Sequence, residues 1–175
     1  ISEARRCLQR AAWSSPEDGT VDMMAAFCFR QLRQVDRWQD ALREAERKEV
    51  SPARIERERQ LYRIQTGGWR EGEESQLAEL AGEGVTAYDV PAAFVLGCLA
   101  NGRHSLAQQI FDAWSVDYPA DPHVAYMRGK YWESLGDIEQ AREEYATAIS
   151  REPRHELAHL ALAEMFENND QLRQA

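Results

Sequence analysis

No stretch of these 175 residues approaches the roughly 20 consecutive apolar residues of a membrane-spanning helix, so no membrane partner is expected. Cysteine is scarce: Cys7, Cys28 and Cys98 form an odd set with no CxxC pair. Each lies in an apolar helical stretch and reads as a small buried hydrophobe. That usage favours a reducing compartment such as the cytoplasm without excluding the periplasm, so localisation stays open. A concentrated basic stripe is missing too. Residues 1–70 hold 14 Arg or Lys against 11 Asp or Glu, and residues 71–175 hold 7 against 19. A nucleic-acid partner is therefore not expected, and the acidic half favours a basic one. No glycine-rich phosphate loop follows a strand, and no serine or cysteine nucleophile has a base beside it. The chain is not expected to be an enzyme or to carry a cofactor. Long apolar–polar alternation, the mark of strands, is absent as well.

What is present is a repeat. The segment Asp121 to Pro153 holds two short helical patterns, a Gly136-Asp137 corner and a closing proline. Its parts recur: Gly102 and Gly136 are 34 apart (136 − 102), as are Phe111 and Tyr145, and Pro119 and Pro153. Ala107, Ala141 and Ala175 step by the same 34. Two helices per repeat at this length predict a stacked solenoid. With 43% hydrophobic and 29% charged residues, the chain can bury a core, so disorder is not expected.

The whole of 1–175 reads as one helical-repeat domain, degenerate over 1–87 and regular over 88–175. It opens at Ile1 and stops at Ala175 inside helical patterns, as expected of a fragment from a longer repeat protein. A first helix is expected to run to Trp13 and close at Pro16. The next passes through Met23, Phe27 and Leu32 to about Val35, with a turn at Asp36-Arg37 into a helix through Trp38, Ala41, Leu42 and Ala45. Ser51-Pro52 starts a helix that Gly67-Gly68 breaks, followed by one through Leu77, Leu80 and Ala81. Asp89 is expected to cap a helix that ends at Asn101-Gly102. A helix through Leu157 to Phe166 is expected to end before Asn169, where another begins. Trp13, Trp38, Trp69, Trp114 and Trp132 come about once per helix pair and read as wedges between helices.

Within Asp121–Pro153, Gly129, Trp132, Ala141, Tyr145, Ala148 and Pro153 occupy the places that the tetratricopeptide repeat motif marks, and the chain resembles that family closely over 88–175 and loosely over 1–87. Ala125 and Arg128 depart from the motif. Other helical-pair solenoids stay an alternative for the first half, though not for the 34-residue spacing of the second. The resemblance implies an all-α, right-handed superhelical solenoid of antiparallel helix pairs that serves as an adaptor or scaffold. Gly129 and Ala141 would let the helices of one unit approach, while Trp132 and Tyr145 fill the gap to the next. First helices would line a concave groove through Ala92, Leu96, Leu99, Tyr126, Lys130, Leu160 and Glu164, with Met23, Phe27 and Arg30 from the earlier pair. Its acidic end, at Glu133 and Glu167, suits a protein or peptide with apolar anchors and basic flanks. A clamp for a partner's terminal carboxylate needs several cations in one groove; in the well-matched half only Lys130 fits.

One string points elsewhere. His155-Glu156-Leu157-Ala158-His159 reads H-E-x-x-H, in which two histidines on one helix face hold zinc and the glutamate is general base. A zinc hydrolase is thus the alternative. Against it stand the positive helix start, which opposes a cation, and the lack of a third ligand. Glu167 lies eight residues beyond His159, about 12 Å along a helix. A further alternative is self-association through repeat ends.

Overall fold

A computed structural model describes residues 18–68 and 88–174, with side chains to residue 167. The helices expected over Ile1–Trp13 and around Leu77–Ala81, with Pro16, Cys7, Trp13 and Trp69, lie outside the described residues. Those that are described are helical with no strand among them. The chain divides into two compact units, residues 1–63 and 64–175.

In the first unit, α1 (Gly19–Gln31) packs against α2 (Val35–Arg47), and α3 (Pro52–Gln65) follows. Asp18 caps α1 by accepting from the Thr20 amide at 2.9 Å. Met23, Ala26, Trp38, Ala41, Leu42, Ala45 and Ile55 form its core. Trp38 stacks on Tyr62 with ring centroids 4.2 Å apart. A buried polar knot ties the three helices together. Arg30 Nε donates to Glu58 Oε1 at 2.7 Å, and the Trp38 indole donates to the same oxygen at 3.1 Å. The turn after α1 comes earlier than expected, at Leu32–Gln34 instead of Asp36-Arg37. Arg33 adopts a left-handed φ of 54°, and Gln34 N–H closes back onto Phe29 O at 2.9 Å. This double-bonded left-handed closure satisfies the last carbonyls of the helix.

In the second unit, α4 (Asp89–Ala100) packs on α5 (His104–Asp117) and on α6 (Pro122–Leu135). In turn α5 packs on α6, α6 on α7 (Ile138–Arg151), and α7 on α8 (Glu156–Gln174). Asp89 does not cap α4: Tyr88 holds that position, and Asp89 is buried in the first turn. Asp121 and Asp137 do cap, accepting from the amides of His123 (2.8 Å) and Gln140 (3.1 Å). The ring of Tyr145 covers Gly129 of its own helix pair. The break expected before Asn169 does not occur, and α8 runs on to Gln174. Position 170, which is 136 + 34, holds aspartate instead of glycine.

The corners that end α1, α3, α4 and α6 share one conformation. Arg33, Gly67, Gly102 and Gly136 have φ of 54°, 82°, 67° and 80°. Their intervals are 67 − 33 = 34, 102 − 67 = 35 and 136 − 102 = 34. Glu49 shares the conformation after α2 (φ 58°) off this interval, so the spacing of about 34 in the first half belongs to the ends of α1 and α3.

Candidate functional site

Counted back from these corners, the ten candidate residues fall at three places, with α8 counted from position 170. Met23, Ala92, Tyr126 and Leu160 stand ten residues before; Phe27, Leu96, Lys130 and Glu164 stand six before; Arg30 and Leu99 stand three before. Glu133 and Glu167 share that last place. In α3 the same places hold Arg57, Leu61 and Ile64, which the sequence reading missed because its register was blurred there.

Burial divides the set. Met23, Arg30, Ala92, Leu96 and Tyr126 are buried and committed to packing. Arg30 is a fully enclosed cation bound to Glu58. Phe27, Leu99, Lys130 and Leu160 are half-buried, and Glu164 is exposed. In the second unit the reachable candidates are thus Leu99, Lys130, Leu160 and Glu164, with Glu133 beside them.

Two of these, Glu133 and Lys130, meet at Tyr145. Its hydroxyl donates to Glu133 Oε2 at 2.6 Å, and Lys130 Nζ donates to the same oxygen at 2.9 Å. The Lys130 ammonium also sits 5.9 Å from the Tyr145 ring centroid. Burial, then the bond to Glu133, raises the phenol well above its usual range, and Glu164 adds to the effect. Tyr145 therefore stays a neutral donor, and Glu133 is held in one place.

A second cluster, unforeseen in the sequence, lies at the starts of α6 and α8. His155 precedes α8, and its Nδ1 accepts from the Ala158 amide at 3.1 Å, as a capping side chain does. Its Nε2 lies 3.2 Å from His123 Nδ1. Because Nδ1 of His155 is an acceptor, a neutral ring carries its proton on Nε2 and donates it to His123. His123 then carries its own proton on Nε2, a buried atom with no partner. Tyr88 and Tyr126 pack on His123 at centroid distances of 4.5 and 5.3 Å.

These contacts bear directly on the H-E-x-x-H string. An imidazole that accepts at Nδ1 and keeps its proton on Nε2 has no lone pair left for a metal. His159, the other candidate ligand, is exposed and its Nε2 lies 3.0 Å from Pro153 O. Among the described residues no group of three or more His, Cys, Asp or Glu is placed to hold a metal ion.

Comparison with known proteins leaves the residues to speak for themselves: no family model, curated protein or solved structure matches this chain.

Proposed function

We propose that this chain is a tetratricopeptide-like helical-repeat module that binds a protein or peptide and performs no chemistry of its own. The observation that carries the reading is the left-handed corner recurring at Arg33, Gly67, Gly102 and Gly136. A unit of two helices repeated at 34 or 35 residues leaves one face of each first helix outside the intra-pair seam. On α4, α6 and α8 that face offers Leu99 and Leu160 as apolar anchors and Glu133 and Glu164 as acidic neighbours. A segment with apolar side chains flanked by lysine or arginine complements it, the charges steering encounter and the apolar groups supplying affinity. Adaptor or scaffold activity in a larger assembly follows from such binding.

The test is capture of partners by the 175-residue protein against a Leu99→Ser, Leu160→Ser, Glu164→Lys variant of unchanged helicity. Loss of specific partners by the variant supports the reading, and the same partners bound equally by both proteins reject it.

A further inference from the structure

We propose that the His123–His155 hydrogen bond is an acid-released latch that fastens the start of α8 to α6. The geometry permits only neutral rings. Adding a proton to Nδ1 of His155 removes the acceptor that caps Ala158 N–H. Adding one to Nδ1 of His123 sets two N–H groups against each other across 3.2 Å. Either event breaks the chain Ala158 → His155 → His123, which has no spare acceptor.

The surroundings offset such a charge only in part. Around His123 stand Tyr88 ahead of α4, Trp114 of α5 and Tyr126 of α6. Tyr145 of α7 packs on Tyr126. The Asp121 carboxylate accepts from the backbone amide of His123, and Arg151 of α7 binds the Asp121 carbonyl. Around His155, Glu152 and Asp121 favour its charged form and His159 opposes it, but burial is the largest influence and lowers its pKa. Burial, and then His155, pushes His123 down to about 3. Released from the fold, each ring would titrate near 6.5. Docking is therefore at full strength above about pH 6.5 and weakens as pH falls below it, because the released state binds more protons.

Hydrogen exchange of the α8 amides in the whole protein tests this, after correction for intrinsic exchange rates. Between pH values of about 7.5 and 5, the opening constant at Ala158 is expected to rise at least about thirtyfold. That is the ratio for one ring that must stay neutral while docked. A His123→Phe, His155→Asn double variant keeps a capping side chain and should lose this response. An equal response in wild type and variant overturns the latch. If the variant does not fold, ¹⁵N shifts of the wild-type imidazoles decide. Nε2–H tautomers on both rings, titrating well below 6.5, uphold it, and ordinary titration of either ring with α8 amides unmoved overturns it.

Discussion

A β-carbon on Gly129 would lie 2.3 Å from Cε1 of Tyr145, inside the ring's own space. This contact sets the closeness of α6 and α7. It fixes the phenol that reaches Glu133 at 2.6 Å, so a seam residue shapes the candidate binding face. Gly129→Ala must displace a fully buried ring flanked by Tyr126. Overpacking of this kind is expected to cost about 1–3 kcal/mol in urea unfolding. Adding Tyr145→Leu should make the pair of changes less costly than their sum, because the two residues share one space. Strict additivity would mean that the ring does not occupy that seam.

Glu58 carries a different risk. Its carboxylate is the acceptor for Arg30, whose side chain is 0% exposed, and for the Trp38 indole. Glu58→Ala is expected to destabilise the first unit by about 3–5 kcal/mol, since it removes a buried carboxylate that both Arg30 and the Trp38 indole bind. Arg30→Met with Glu58→Met should recover much of that loss, because no charge is left inside. Thermal unfolding of the three proteins makes the comparison, and a mild effect of Glu58→Ala would contradict the weight given to the Arg30–Glu58 pair.

The period, the all-α class and most helix ends in 88–167 were legible because glycine, proline and capping aspartates mark them. The first half hid its register because Arg33 takes the left-handed corner that glycine holds in later repeats. Sequence patterns do not reveal a non-glycine residue in that conformation. His155 stands 34 residues after Asp121, the residue that caps α6, so the repeat itself assigns it to a cap and not to a helix face. The meeting of His155 with His123 had no signal, because it depends on how successive first helices pack. Burial was equally hidden. Leu96 shares its place with the exposed Glu164 and Tyr126 with the half-buried Leu160, and only packing shows that they are enclosed.

His155 gives a prediction separable from its titration. At neutral pH His155→Ala leaves the Ala158 amide uncapped and is expected to cost about 1 kcal/mol. His155→Asn supplies another acceptor and should recover part of that loss. Equal stability of the alanine and asparagine variants would show that the imidazole does not cap α8.

The corners themselves make the last prediction, and its sign differs from site to site. Gly136 has a φ of 80° and open space around it, so Gly136→Ala meets no clash and suffers only from its backbone. Alanine in the left-handed region is expected to cost about 1 kcal/mol. Arg33 bears that strain already, at a φ of 54° and with its side chain exposed. Arg33→Gly should therefore stabilise the first unit by about 0.5–1 kcal/mol, the relief exceeding the extra freedom glycine gives the unfolded chain. Most surface substitutions to glycine in a helical protein destabilise it, so a gain here would be specific to the corner. Urea midpoints for the two variants settle the matter. A loss of stability in Arg33→Gly would mean that position 33 is not the counterpart of Gly136.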